Sequence, residues 1–186
     1  MNLEDLKKPF PTEDLEWRIQ RSGIGNKTGK PWAMVLCYLT NRAIQDRLDA
    51  VCGPENWRNE FAPGPSGGII CGISIRICQT QDDARGEWVT KFDGAENTQF
   101  EPVKGGLSDA MKRAAVHWGI GRYLYRLEAA WAQFDEAGKH KDKIEGTYYR
   151  WDPPPLPSWA MADMKDVIEK VKDGDGEGLK NEEIPF

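Results

Sequence analysis

Residues 105–119, Gly-Gly-Leu-Ser-Asp-Ala-Met-Lys-Arg-Ala-Ala-Val-His-Trp-Gly, restrict the possible folds of this chain more than any other segment. Their apolar positions recur at helical spacing. One stripe is formed by Leu107, Met111, Ala115 and Trp118. We therefore expect a helix that begins after the glycine pair and packs this stripe against a core. The Lys112–Arg113 doublet lies one step round the helix, at the rim of the buried face.

The charge of this segment opposes that of the whole chain. Residues 104–126 carry a net charge of +4, whereas the protein carries −5. The cations are Lys104, Lys112, Arg113, Arg122 and Arg126. Residues 160–186 carry −4, so the rest of the chain is nearly neutral. A cationic cluster of this kind favours a phosphate-bearing partner, although an ordinary solvated helix face has the same composition. Trp118 fits a core better than a base-stacking platform, while Tyr123 or Tyr125 could stack on a base.

The order of the patterns predicts an α+β fold. Residues 3–21 read as helix interrupted at Pro9 and Pro11, and residues 24–30 as a glycine-rich turn. A strand at 32–39 leads into a helix from Thr40 or Asn41 to Cys52, closed by Gly53. Strands at 57–61, 69–78 and 87–92 then form an antiparallel meander of three to four strands, packed on the long basic helix. Residues 136–146 read as a loop, and 147–151 as a last strand.

The second half of the chain divides at its prolines. We expect a main domain over residues 1–151, a stiff linker over 152–158 and a short helix with a flexible acidic tail over 159–186. Four cysteines without metal-ligand spacing, Cys37, Cys52, Cys71 and Cys78, are expected to be free and mostly buried thiols. No apolar run is long enough for a membrane span, and the acidic N-terminus lacks a signal-peptide core. These features predict a cytoplasmic protein without a metal or other cofactor.

Three apparent enzyme motifs are incomplete. The stretch 23–31 resembles a phosphate loop, but Ile24 takes the place of its first glycine and Pro31 that of the Ser or Thr that would hold Mg²⁺. Asp82, Asp83, Glu87, Asp93 and Glu96 do not form a recognisable two-metal nuclease pattern. Cys37 and His117 lack a third group to orient them as a nucleophile and base. We therefore do not expect an enzyme.

Two separated motifs carry a resemblance to a known family. Asp109-Ala110-Met111-Lys112-Arg113-Ala114 followed by Trp118-Gly119, and Cys37-Tyr38-Leu39 followed by a helix ending in Gly53-Pro54-Glu55-Asn56-Trp57, resemble the Rad52-type single-strand annealing family. The run 119–125 is similar to the phage and bacterial branch. The resemblance covers about residues 6–127 and implies a ring-forming annealing protein that needs no ATP and holds single-stranded DNA in a cationic groove.

The resemblance also assigns roles to residues. It implies that Lys112 and Arg113 are inner phosphate contacts, and that Arg42 lies one position from a basic residue that the family uses. Val116 replaces an arginine of the eukaryotic branch, so this contact is missing or is supplied by Arg122 or Arg126. Lys104 completes the set of expected DNA-binding residues.

The C-terminal residues resemble the tip of bacterial single-stranded-DNA-binding proteins. The matching residues are Glu182, Glu183, Ile184, Pro185 and Phe186. Acids that steer the encounter and a terminal Phe that enters an apolar pocket would suit host proteins that read this tip. The alternative is a merely solvated acidic tail.

Together these patterns predict a recombination and repair mediator, of phage or bacterial origin, that pairs complementary strands as a homo-oligomeric ring. It would be associated with DNA in the cytoplasm, the host's cytoplasm if the protein is phage-encoded. The alternatives are a single-strand-binding protein that does not anneal, such as an OB-fold, and a DNA-processing nuclease. An OB barrel has five strands and only a short helix, which does not fit the long basic helix.

Overall fold

A computed structural model describes residues 1–65, 67–78, 86–97 and 101–162 of the chain. Within these ranges, nine strands form three antiparallel sheets of three strands each, together with two α-helices. The sheets have the strand orders β1-β2-β6, β3-β4-β5 and β7-β9-β8. The strands are β1 (Leu15–Ile24), β2 (Pro31–Leu39), β3 (Trp57–Pro63), β4 (Ile69–Ile77), β5 (Glu87–Ala95), β6 (Ala130–Trp131), β7 (Gln133–Phe134), β8 (His140–Ile144) and β9 (Thr147–Asp152), and the helices are α1 (Asn41–Cys52) and α2 (Pro102–His117). The mixed α/β character and the antiparallel sheets agree with the prediction.

The N-terminal segment was predicted incorrectly. Residues 3–21 are not a broken helix, because only Leu3–Lys7 and Thr12–Asp14 form short 3-10 helices and the chain then becomes β1. The acids Glu13 and Asp14 lie in a single 3-10 turn, and no side chain caps its start. β1 pairs with β2 from Leu15↔Leu39 to Ile24↔Pro31. This pairing is a long-range interaction that overrides the local helical signal.

The first predicted helix is confirmed. The Thr40 side chain accepts a hydrogen bond from the Ala43 N–H at 3.1 Å, which satisfies a free donor at the start of α1. Gly53, with φ of 82°, ends the helix in a conformation that favours glycine. The apolar face buries Ala43, Ile44, Leu48 and Cys52, so α1 packs on the common core.

The predicted meander is also confirmed, as the sheet β3-β4-β5. The central strand β4 turns Cys71, Ile73 and Ile75 into the core, where they are fully buried. Helix α2 packs on β4 and β5 and contributes Ala110, Met111, Ala114 and Ala115 to the same cluster. The edge of this sheet thus lies directly beside the basic helix.

Helix α2 begins earlier than predicted. It starts at Pro102, so the pair Gly105–Gly106 lies inside the helix and not before it. Proline is well tolerated in the first turn because its missing N–H has no partner there. Gly106 allows a close approach, since a Cβ at this position would lie 3.1 Å from Ile69 Cγ1 and 2.9 Å from Asn97 Oδ1.

The region expected to be a loop at 136–146 contains a strand. Residues His140–Ile144 form β8, which pairs with β9 from His140↔Trp151 to Ile144↔Thr147. The segment 147–151 is a strand as predicted. Ile144 and Trp151 are buried, and these apolar anchors hold a strand whose other residues are charged.

Beyond β9, Leu156 packs against the core and Ala160 is fully buried. The division at the prolines remains a prediction. Cys52 and Cys71 are buried free thiols, Cys37 is half-buried and Cys78 is exposed. Within the described ranges, no helix combines the length and apolar character that a membrane crossing requires.

Candidate nucleic-acid interface

A groove of about 880 Å³ runs between the β1–β2 hairpin and the edge where β5 meets α2. Lys112, Arg113 and Val116 reach it from α2, and Trp17 and Arg18 from β1. Further wall is formed by Tyr38, Gly94, Ala95, Asn97, Leu124 and Tyr125. The groove therefore joins the two segments that carried the sequence resemblance.

Lys112 is the most enclosed cation of this groove. Its side chain is 16% exposed, and its Nζ lies 3.9 Å from a Glu16 carboxylate oxygen. Burial lowers the pKa of Lys112, while the Glu16 carboxylate opposes this shift. A partly desolvated ammonium interacts more strongly with an anion than one in water does. Lys112 thus presents a partly desolvated ammonium to the groove.

Arg113 is held in place by a carboxylate from the neighbouring strand. Its Nε and Nη2 atoms both donate to Asp93 Oδ1, at 3.1 and 3.0 Å. His117 Nε2 lies 3.2 Å from Asp93 Oδ2, and the Gly94 N–H donates to Oδ1 at 2.8 Å. Burial raises the pKa of Asp93, but these hydrogen bonds and the charge of Arg113 outweigh it, and the pKa is lowered. Asp93 therefore stays ionised and orients the guanidinium of Arg113, whose side chain is half exposed.

The two tyrosines considered for base stacking have different environments in the structure. The Tyr123 hydroxyl accepts a hydrogen bond from the Phe10 N–H at 3.0 Å, which ties this half-buried ring to the N-terminal segment. Tyr125 is 70% exposed and lines the groove, as does Tyr38. Trp118 is a core residue, because it is 7% exposed and donates to the Ile73 carbonyl at 2.9 Å.

Four predicted DNA-binding residues are not among the residues that line the groove. Arg42 is exposed on α1, and Lys104 pairs with Glu101 at 3.2 Å. Arg122 donates to the Val116 and His117 carbonyls at 2.7 to 2.9 Å, where it caps the end of α2. The Arg126 guanidinium stacks over Trp159 at 5.0 Å. The tail tip, Glu182, Glu183, Ile184, Pro185 and Phe186, lies outside the described residues.

Sequence reasoning missed Arg18. This residue belongs to β1, which was read as helix, and it lines the groove together with Val116. Arg18 of the β1–β2 hairpin thus adds a cation to a groove in which α2 has Val116 instead of an arginine. Its lining also carries three acids, Glu96, Asp109 and Glu128, which balance the charges of Arg18, Lys112 and Arg113.

The residues of the apparent enzyme motifs lie within the described part of the chain, except Asp82 and Asp83, which lie outside it. The stretch 23–31 connects strand to strand through a turn in which the Gly25 N–H donates to the Lys30 carbonyl at 2.9 Å, so no helix follows it to receive phosphates. Burial raises the pKa of Cys37 to about 12, which opposes thiolate chemistry. In the described part of the chain, no three His, Cys, Asp or Glu residues group closely enough to hold a metal ion.

Comparison with known proteins identifies the class to which this fold and groove belong. Residues 2–143 match the family described as Rad52/22 family double-strand break repair protein, and the chain belongs to this family. The resemblance found in the sequence is thereby confirmed.

Two relatives carry the same name. The single-stranded DNA-binding protein DdrA of Deinococcus radiodurans is 32% identical over 167 residues, which cover 88% of this chain and 71% of the relative. Its counterpart in Deinococcus deserti is 33% identical over 169 residues, which cover 88% and 73%.

Proposed function

We propose that this protein binds single-stranded DNA in the groove between the β1–β2 hairpin and α2, and that it anneals complementary strands without ATP. The observation that carries the proposal is the position of Lys112 and Arg113. The two cations of the family motif line one groove with the exposed ring of Tyr125. Two relatives that are named single-stranded DNA-binding proteins support the same ligand.

Some groove residues would bind the phosphates of the DNA backbone, and one would contact a base. Lys112 and Arg113 bind phosphates, and Arg18 binds a phosphate from the opposite wall, in place of the arginine missing at Val116. Tyr125 stacks on a base, which is sequence-tolerant because every base has an aromatic face. The part of the DNA strand that extends beyond the groove would be contacted by the remaining predicted residues, which are Arg42, Lys104, Arg122 and Arg126.

Annealing requires no covalent step. It needs neutralised backbones, extended strands with accessible bases and several binding sites held together, which raise the effective concentration of complementary sequence. A homo-oligomeric ring would meet the last condition. The protein would act in recombination and repair in the cytoplasm, that of the host if it is encoded by a phage.

The residues 182–186 would recruit host proteins that read the tip of single-strand-binding proteins. This proposal stands on sequence resemblance alone. Deletion of Ile184, Pro185 and Phe186 is expected to leave the annealing of naked DNA intact and to abolish partner binding. Loss of the oligomer instead would indicate a structural role for the tail.

A strand-pairing assay in the absence of ATP and Mg²⁺ tests the function. Two complementary oligonucleotides, labelled with a donor and an acceptor fluorophore, are mixed with and without protein. Faster pairing supports annealing. Slower pairing with full protection of the strands indicates the second candidate, single-strand binding alone, which the name of the Deinococcus relatives favours. Cleaved strands would indicate a nuclease.

Variants test the groove. Lys112→Met keeps an apolar stem of similar length, and it removes a charge whose burial is unfavourable, so the protein is expected to stay folded. Lys112→Met and Arg113→Ala should each weaken binding of all sequences and reduce the slope of log K against log salt by about 0.7. Lys7→Ala is the control, since this exposed lysine pairs with Glu4 away from the groove. Unchanged affinity in both groove variants would remove α2 from the binding site.

A further inference from the structure

The β8–β9 hairpin has one partly buried face, anchored by Ile144 and Trp151, and one exposed cationic face. Its register pairs Lys141 with Arg150 and Lys143 with Tyr148, so these four side chains share a face. All four are exposed, whereas Ile144 and Trp151 on the opposite face are buried. The alternation of the two strands thus concentrates three cations and one aromatic ring on the outer surface.

Both lysines contact the aromatic ring. Tyr148 is 63% exposed, and the Nζ atoms of Lys141 and Lys143 lie 4.9 and 5.8 Å from its ring centroid. The Arg150 guanidinium donates to the Gly138 carbonyl at 2.9 Å, and Arg150 lies opposite Lys141 in the register. An exposed ring flanked by cations matches the chemistry of a nucleotide, with a base for the ring and phosphates for the ammonium groups.

Four acids of this region make hydrogen bonds to groups other than the cations of that face. Asp142 accepts from Trp151 Nε1 at 2.8 Å, and Glu145 accepts from the Ile24 N–H at 3.1 Å. Asp135 accepts from the Ala137 N–H at 2.7 Å and Asp152 from the Lys139 N–H at 3.1 Å. Within the ranges that the structure covers, neither Lys141 nor Lys143 has a carboxylate at ion-pairing distance. The cations are therefore available to an external anion.

The face is separate from the groove. None of its four residues lines the groove, and Tyr148 and Arg150 lie beyond residues 2–143, which match the family. The hydrogen bond between Glu145 and Ile24 fixes the tip of the hairpin to the far end of β1. A strand held on this face would be held independently of Lys112 and Arg113.

We propose that the outer face of the β8–β9 hairpin is a second binding site for single-stranded nucleic acid. Lys141, Lys143 and Arg150 bind successive phosphates, and Tyr148 stacks on one base. The site goes beyond the groove of the proposed function and does not require that the groove binds DNA.

Photocrosslinking tests the site directly. The full-length protein is irradiated with an oligonucleotide that contains 5-iododeoxyuridine, and the crosslinked peptide is mapped by mass spectrometry. We expect a crosslink at Tyr148. Tyr148→Phe should retain it because the ring remains, and Tyr148→Ala should lose it. Absence of a crosslink in residues 140–152 of the unchanged protein, with affinity unaltered in Tyr148→Ala, overturns the proposal.

Affinity measurements separate this site from the groove. Tyr148→Ala is expected to weaken binding about tenfold, as for one lost stacking contact. The double variant K141E/K143E should also reduce the salt slope by at least about 1.4, which corresponds to two phosphate contacts. The control K7E/K8E changes the net charge equally at the N-terminal 3-10 helix and should have little effect. Thermal unfolding of each variant verifies that the hairpin remains folded.

The pattern of results distinguishes the two proposals. If only Arg113→Ala and Lys112→Met weaken binding, the groove binds DNA and the hairpin site is refuted. If only the hairpin variants weaken binding, the groove proposal fails and the hairpin site stands. Tighter binding in K141E/K143E would also refute the hairpin site and would indicate an acidic partner on this face.

Discussion

Replacement of Trp118 by phenylalanine separates a core role from a DNA-stacking role for the aromatic residue that directly follows α2. The indole is 7% exposed and donates to the Ile73 carbonyl at 2.9 Å. The Lys91 ammonium lies 4.3 Å from its ring centroid and donates to the His117 carbonyl at 2.9 Å. The indole thus links α2 to the central strand β4 and to the edge strand β5.

The structure allows an estimate of the loss. The buried hydrogen bond contributes about 1 kcal/mol. A weaker cation–π contact with a phenyl ring costs about 0.5 kcal/mol, and the missing ring atoms leave a void that costs about 1 to 2 kcal/mol. We therefore expect Trp118→Phe to lower the free energy of unfolding by about 2.5 to 3.5 kcal/mol. At the size of this chain, that corresponds to a fall in Tm of about 5 to 14 °C.

Urea denaturation followed by circular dichroism measures this loss. Trp88→Phe is the matched control, since this indole is 37% exposed and stacks under the Arg58 guanidinium at 4.6 Å. The control should lose less than about 1 kcal/mol. Folded Trp118→Phe should bind single-stranded DNA as the unchanged protein does. Near-unchanged stability combined with weakened DNA binding would refute the core assignment and identify Trp118 as a stacking platform.

Three further variants test local features. Because the pKa of Asp93 is lowered in the folded state, its ionised form stabilises the fold at neutral pH, and this contribution disappears as the pH falls below about 3.8 through the folded-state pKa. Asp93→Asn should therefore be less stable than the unchanged protein at pH 7, with a difference that shrinks in acid; a constant difference in urea titrations would contradict this. Thr40→Ala should cost about 1 kcal/mol through the lost helix cap, and Thr40→Ser should restore most of it in the same titration. Gly121→Ala should lower Tm, since φ is 66° and the new Cβ would lie 2.5 Å from Leu39 Cδ1; an unchanged Tm would mean that this turn relaxes freely.

Local signals predicted the elements whose ends are fixed by nearby residues. Thr40 and Gly53 cap α1 through contacts with residues within four positions, so the sequence alone marks both ends. The strand β4 could be predicted for the same reason, because the alternation of its side chains between the two faces of the sheet is a local pattern. The family motifs added Lys112 and Arg113, and the structure places both in one groove.

Long-range partners explain what the sequence could not predict. β1 looked helical because Thr12–Asp14 has the composition of a first helical turn, yet its partner β2 decides its conformation. Arg18 was overlooked as a consequence. Asp93 and Arg113 are 20 positions apart, and no local pattern relates them. In β8, charged residues concealed a strand that is held by Ile144 and by the register with β9.

The lining of the groove carries equal numbers of cations and acids, which gives a reason for several subunits to act together in the proposed function. Arg18, Lys112 and Arg113 are offset by three acids in the same lining, so one groove has almost no net attraction for a polyanion at long range. In the proposed function its affinity would depend on short-range contacts, about three phosphates and one base, and so few phosphate contacts would release few counterions. Linked copies would bind the same strand cooperatively, since every bound groove would raise the effective concentration of its neighbours' segments. Weak individual grooves would then favour the proposed annealing, because a base pair between two strands would compete with modest contacts and could displace them one subunit at a time.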